Sequence, residues 1–130
     1  MQTPESLAHI RATVGPDKTI NVVVPCCLND DPVTAREVGR QAIGVYLKLP
    51  AYQRLLRGQG FTEVDWNNGG SDRVVDTWVN WGTASEMIDR FQTYLEAGAT
   101  NIVMFPHPSA DAGPGSLSDM LEAFAPANFQ

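Results

Sequence analysis

Hydrophobic positions along the chain fall into helix-period stripes interrupted by two β-branched runs. Residues 4–14 carry Leu7, Ile10 and Val14 at helical spacing and stop at Gly15-Pro16, which predicts a short helix. Residues 19–25 read Thr-Ile-Asn-Val-Val-Val-Pro. This run is nearly continuous rather than alternating, the pattern of a strand covered on both faces and paired in a parallel sheet. Asp31 followed by Pro32 is a helix start, with a capping carboxylate and a proline at the first helical position. Val38, Ala42, Val45, Tyr46 and Leu49 then form one apolar stripe. Gly39 and Gly44 lie inside this helix at ~1 kcal/mol each relative to alanine, which points to close backbone packing against a neighbour. The helix ends at Leu49, because a residue before proline avoids the α region. Pro50 opens a second short helix with Tyr52, Leu55 and Leu56, stopped by Gly58 and Gly60.

Residues 62–71 are the least regular part of the pattern. Asn67-Asn68-Gly69-Gly70-Ser71 is turn chemistry throughout, so a flexible loop is expected, anchored by Trp66. Asp72 is expected to cap a helix with Val74, Val75, Trp78 and Val79 on one face, and residues 79–81 to end it or to form a short strand. Thr83-Ala-Ser-Glu86 matches a capping box and opens a helix lined by Met87, Ile88, Phe91 and Leu95, closed by Gly98. Residues 101–105, Asn-Ile-Val-Met-Phe, form the second buried-type strand. A Pro/Gly/Ser loop over residues 106–115 leads to a last helix that starts at Ser116, carries Leu117, Met120, Leu121 and Phe124, and ends at Pro126. The order is α-β-α-α-loop-α-(β)-α-β-α, an α/β chain with parallel strands. Two or three such strands cannot close a barrel or satisfy two sheet edges, so the pattern reads as part of a larger sheet.

Composition narrows the function classes. The 130 residues suffice for one domain, and 43% hydrophobic with 18% charged residues is globular rather than disordered. The formal net charge is −6 and Lys and Arg do not cluster, which argues against nucleic acid and anionic membrane as partners. No apolar run approaches the ~18 residues of a membrane span. The first residues have neither a basic region nor an apolar core, so no signal peptide is expected and the reading is cytoplasmic.

Candidate chemistry is sparse. Cys26 and Cys27 are adjacent, a spacing that strains a disulfide and matches no zinc motif, so they read as reduced thiols at the end of a buried strand. His9 and His107 lie far apart without a carboxylate at ligand spacing, so no metal site is expected. There are no paired carboxylates in an evident cleft, no Ser/His/Asp arrangement and no glycine-rich dinucleotide loop.

Three stretches carry a resemblance. Asp30-Asp31-Pro32, then Ala35-Arg36-Glu37, follow the Ile/Val-rich strand. Tyr46-Leu47, then Leu49-Pro50-Ala51-Tyr52, run on to Gly60-Phe61. Trp81-Gly82-Thr83 leads through Glu86, Ile88 and Arg90 to Glu96-Ala97-Gly98-Ala99 and Ile102-Val103. From residue 19 to residue 130 the chain resembles the C-terminal part of the bacterial luciferase-like monooxygenase family, most closely its actinobacterial branch of deazaflavin-dependent oxidoreductases. The resemblance implies the C-terminal portion of a TIM (β/α)8 barrel, a fold of about 250 residues. Residues 1–130 would form one partial barrel domain with strands six, seven and eight at 19–25, near 79–81 and at 101–105. The first five β/α units, which in the family hold most of the cofactor, have no counterpart.

The resemblance further implies coenzyme F420 or FMN as cofactor in the complete enzyme, with this chain alone binding either weakly or not at all. It implies hydride or oxygen transfer on a small organic substrate. Barrel chemistry sits at the C-terminal ends of strands. That places Gly82 and Thr83 as a phosphate cradle at a helix start, with Arg73 and Arg90 as possible partners. Tyr46, Tyr52, Trp66, Trp78 and Trp81 surround the insertion, and Tyr46, Tyr52, Trp66 and Trp81 would line the substrate pocket. His107 at a strand end is the candidate acid or base. Plain capping at Thr83, core packing for the aromatics and a solvent-side role for Arg90 and His107 are the competing readings. At the level of the whole chain the alternatives are a non-catalytic partial barrel that self-associates or pairs with a complementary half, and a small stand-alone ligand-binding α/β domain.

Overall fold

The computed structural model describes residues 1–109 and 116–126. The last part of the loop expected over 106–115 therefore lies outside the described residues. Helix α1 (Pro4–Val14) starts at a Thr3 cap in which Ser6 reciprocates, and ends at Gly15 with φ +86°. It leads to strand β1 (Asn21–Leu28), then α2 (Pro32–Leu47), α3 (Pro50–Gly58) and the single turn α4 (Glu63–Trp66). A 3-10 turn (Asn67–Gly69), α5 (Asp72–Trp78), β2 (Asn80–Gly82), α6 (Ala84–Glu96), β3 (Asn101–Pro106) and α7 (Leu117–Ala123) complete the chain. No described helix is long and apolar enough to cross a membrane.

Most helix starts follow the sequence signals. Asp31 accepts the Thr34 N–H at 2.8 Å, and Thr83 and Glu86 form the expected reciprocal box. Gly98 follows α6 at φ +109°. At α5 the cap is Ser71 rather than Asp72: the hydroxyl is placed outside the helix, where it accepts the Val74 N–H. Asp72 is the first helical residue and pairs with Arg40.

Residues 62–71, expected as a loop, are folded. Thr62 and Asp65 make a capping box around α4, and Asp65 also accepts from Ser71 Oγ at 2.9 Å and from Arg73 at 2.9 Å. Asn68, Gly69 and Gly70 then have φ of +56°, +86° and +104° in succession, a path that only Asn and Gly follow cheaply. The polar composition served to turn the chain tightly around one buried carboxylate.

The sheet has three parallel strands in the order β2-β1-β3. Parallel pairing of the two buried-type strands is as expected, with Val23 opposite Val103 and Pro25 opposite Phe105. The order is not that of a barrel segment, in which each strand lies between its chain neighbours. β2 has three residues and pairs only with Cys26, Cys27 and Leu28. It offers too short a ladder for β3, which pairs instead with β1 from Asn21 to Cys26. This order matches the start of a doubly wound open sheet.

Helices cover the two faces through separate cores. Val22, Val24 and Cys26 pack with Leu7 of α1, Met87, Phe91 and Tyr94 of α6, and Met120 and Phe124 near α7. The second core joins α2, α3 and α5 through Ile43, Leu47, Leu56, Val75 and Trp78. The stripe on α2 is shifted from the expected one. Ala35, Gly39, Ala42, Ile43 and Leu47 are buried, whereas Val45 and Leu49 are exposed. The other face of the sheet is half covered: α2 lies on β1, and Pro25 and Cys27 are buried, but Val23, Val103 and Phe105 remain 49%, 46% and 46% exposed.

The two glycines of α2 separate cleanly. A Cβ on Gly39 would lie 2.5 Å from Val75 Cγ1, so this glycine lets α2 and α5 touch. A Cβ on Gly44 would meet nothing within 4 Å. Gly39→Ala should therefore destabilise the chain by ~1–3 kcal/mol through overpacking. Gly44→Ala should stabilise it by up to ~1 kcal/mol through helix propensity. Urea melts of both variants check the opposite signs.

Asp65 supplies a pH signature. The Thr62 backbone N–H, then Arg73 and Ser71, hold its carboxyl down at about 2, below the ~3.9 of an unfolded chain. Its contribution to stability is thus complete above the unfolded pKa and is lost as pH falls through the folded one. The melting-temperature gap between the wild type and Asp65→Asn should be widest near neutral pH and narrow steadily below about pH 4.

Candidate functional site

The C-terminal ends of the three parallel strands come together at one end of the sheet, the position where open α/β sheets place their ligands. The residues there are Leu28, Asn29 and Asp30 after β1, Gly82 and Thr83 at the end of β2, and His107 after β3. Asn29 ties them. It bridges to Gly82, its Oδ1 accepts the Asp31 N–H at 2.9 Å, and its Nδ2 reaches Ser109 Oγ at 3.5 Å. A cleft of about 230 Å³ lies among Leu28, Asn29, Asp30, Gly82 and Thr83.

Gly82 and Thr83 lie in this cleft, but the Thr83 donors are taken. The Thr83 N–H and Oγ1–H both donate to Glu86 Oε2, at 2.9 and 2.8 Å. These bonds, the backbone one first, hold the Glu86 carboxyl below its usual range, so it is a carboxylate at neutral pH. Gly82 has φ +138°, and a Cβ there would sit 2.8 Å from Glu86 Oε2. A phosphate would have to displace a carboxylate from its own cap. The cleft is also below the ~300 Å³ at which cofactor pockets begin. The residues present do not fit the phosphate of a flavin or deazaflavin.

His107 follows β3. Its backbone N–H donates to the Cys26 carbonyl at 2.8 Å, which continues the ladder. Its ring stands edge-on to Phe105, with centroids 4.6 Å apart. Nε2 is buried and has no hydrogen-bond partner among the described residues. Burial lowers the imidazole pKa, so the ring is neutral at pH 7.

The aromatic residues expected around a substrate pocket are not gathered into one. The Tyr46 and Tyr52 rings meet at a tilt of 56° with centroids 5.1 Å apart, and Tyr52 meets Trp78 edge-on at 6.1 Å. Trp66 and Trp78 belong to the α2–α3–α5 core, with Tyr46, Tyr52 and Trp81 packed against it. Trp78 donates its indole N–H to Gln59 and Trp81 donates to Asp76. Trp66 borders a cleft at the surface of this core.

Neither proposed arginine is free for an anion. Arg73 is bound to Asp65 and lies 4.4 Å over the Phe61 ring. Arg90 faces the protein rather than solvent: from α6 it donates to the carbonyls of Asp76, Thr77 and Val79 at 2.5, 2.8 and 3.1 Å, closing the C-terminus of α5. Asn80 was not among the residues singled out. It is 1% exposed, and its Nδ2 donates to the Met87 carbonyl while Oδ1 is unpartnered. Its position beside Cys26 in the register is a tertiary fact that no local pattern signals.

Among the described residues, no three of His, Cys, Asp and Glu come together as a metal would require. Cys26 and Cys27 are both buried free thiols. Burial, with the neighbouring Cys27 adding to it, pushes Cys26 up to about 12, and burial raises Cys27 as well. No protein-family model, no curated protein and no solved structure matches the chain.

Both thiols should stay unmodified by a thiol-exchange reagent at pH 8 in the native chain, since the thiolate is the reacting form. Both should react at once in denaturant. Rapid labelling of either thiol in the folded chain would show that the end of β1 opens far more readily than its packing implies.

Proposed function

We propose that this chain is the C-terminal part of a cytoplasmic luciferase-like oxidoreductase or monooxygenase. The complete enzyme transfers a hydride or oxygen to a small organic substrate with coenzyme F420 or FMN. The part acts only once complementary β/α units, or a second copy, cover the open half of its sheet. The observation that carries the reading is the exposed, uncharged row of Val23, Val103 and Phe105 on parallel strands, because such strands are normally covered on both faces. Covering a few hundred Å² of apolar surface contributes several kcal/mol at ~25 cal/mol per Å², comparable with the stability of a whole domain. The ordered motifs from Asp30 to Val103 support the family.

The cofactor is held mainly by the upstream units, since the Thr83 donors are engaged with Glu86. His107, which follows β3 at the strand ends, is the candidate to move a proton. The order β2-β1-β3 favours a second reading, a self-contained ligand-binding α/β domain.

One experiment separates the two. The chain is sedimented at low micromolar concentration and titrated with FMN and F420, alone and mixed with the first five β/α units of a luciferase-like oxidoreductase. The proposal expects self-association and little cofactor binding alone, with complex formation and cofactor uptake in the mixture. It expects V103K combined with F105S, both at exposed positions, to abolish both associations without loss of the folded signal. A compact, cooperatively melting monomer indifferent to the added units would overturn it in favour of the second reading.

A further inference from the structure

The cleft between the end of α2 and the 3-10 turn holds about 230 Å³ and is bordered by Gly44, Leu47, Lys48, Trp66, Asn67 and Asn68. We infer that it is a binding site for a small organic carboxylate. Trp66 is 6% exposed, and it differs from the other two tryptophans in its polar edge. The indole N–H groups of Trp78 and Trp81 have acceptors at 2.8 and 3.0 Å. That of Trp66 has none among the described residues, although the ring lines the cleft. Among the described residues Trp66 Nε1 is not one of the buried atoms left without a partner, so this N–H is open to solvent and available to an acceptor.

The rest of the cleft matches an anion. Lys48 brings a full positive charge, and no carboxylate lies within ion-pair distance of it among the described residues. None of the lining residues is acidic, in a chain of net charge −6. Asn67 and Asn68 add neutral amides at the rim. Leu47 and Trp66, 2% and 6% exposed, present only a little apolar surface, and the Arg57 guanidinium lies over the Trp66 ring at 5.0 Å. Gly44 supplies an independent observation. A glycine in a helix interior costs ~1 kcal/mol relative to alanine. Gly39 is accounted for by the contact with Val75, whereas nothing in the protein fills the place of a side chain at Gly44. Gly44 lines the cleft and keeps its floor open. The volume, below that of common drug-sized pockets, limits the ligand to a small one. The inference stands on this cleft alone and does not rest on the oxidoreductase reading.

The test follows the three indole N–H resonances of the isotope-labelled full chain, assigned by single Trp→Phe substitutions, during titration with benzoate. Benzamide serves as the neutral counterpart. Benzoate should move the Trp66 resonance saturably and leave those of Trp78 and Trp81 in place. Benzamide should bind at least about tenfold more weakly, as loss of a charge-assisted bond requires. Lys48→Met, at an exposed position, should weaken benzoate by a similar factor. Gly44→Leu should abolish the shift while the Trp78 and Trp81 resonances keep their native positions. A Trp66 resonance that benzoate leaves unmoved, that benzamide moves equally, or whose benzoate response survives Lys48→Met undiminished would overturn the inference. None of these outcomes involves a flavin, so failure here is distinct from failure of the proposed function.

Discussion

The strand Asn21–Leu28 is the constraint from which the rest of the structure follows. Among the described residues it is the only strand with a neighbour on each edge, and it is the shared wall between helices on its two sides. Its second half, Pro25, Cys26 and Cys27, is fully enclosed. Its first half alternates, with Val22 and Val24 covered and Val23 half exposed. A β-branched run with so few polar positions has no stable solvent-facing arrangement, so the chain must bring helices to both sides of it. Pro32–Leu47 reaches one side, and Pro4–Val14 and Ala84–Glu96 reach the other. Where the helices run out, Val23, Val103 and Phe105 are left half exposed.

Arginine joins these layers. Arg36 forks onto Asp76 at 3.0 and 2.8 Å and lies over the Trp81 ring, so α2, α5 and β2 meet at one ion pair. Such half-exposed pairs contribute only ~1 kcal/mol or less, so their role is more to fix the relative placement of helices than to stabilise the whole. Arg90 closes α5 from α6, and Arg11 ties the end of α1 to the Gly98 carbonyl ahead of β3. The basic side chains that sequence reading would offer to a phosphate are thus largely engaged with backbone carbonyls and carboxylates. The strand-end cleft is left with Asp30 and Glu86, an acidic setting.

Local chemistry was legible where it acts through neighbours in sequence. Asp31-Pro32, the Thr83–Glu86 box, Gly98 and Ser116 each opened or closed a helix as their side chains predict. The two parallel strands were visible in their β-branched runs, although β1 extends through the two cysteines to Leu28, because thiols pack as small apolar groups. What the sequence could not convey was set by long-range pairing. The three residues of β2 cannot be recognised as too short a partner for β3 until the register is seen; the barrel order was what the resemblance implied. Asn67-Asn68-Gly69-Gly70 reads as a loose loop because the carboxylate that organises it, Asp65, is engaged by Arg73 and Ser71 from the next helix. Gly39 and Gly44 looked equivalent. Only the presence of Val75 opposite one and empty space opposite the other separates a packing glycine from a candidate cleft glycine.

Among the described residues β1 is filled on both edges while the outer edge of β3 is open. Amide hydrogen exchange of β3 tests it directly. The N–H groups of Asn101 and His107 donate to Ile20 and Cys26 of the β1 side, and the alternation of a parallel ladder places those of Val103 and Phe105 in the same row. The N–H groups of Ile102 and Met104 then point to the open edge. In the dilute monomer, Val103 and Phe105 should be protected, with Ile102 and Met104 exchanging orders of magnitude faster. Equal protection of all four would contradict the account, because it would mean that a further strand already lies against β3.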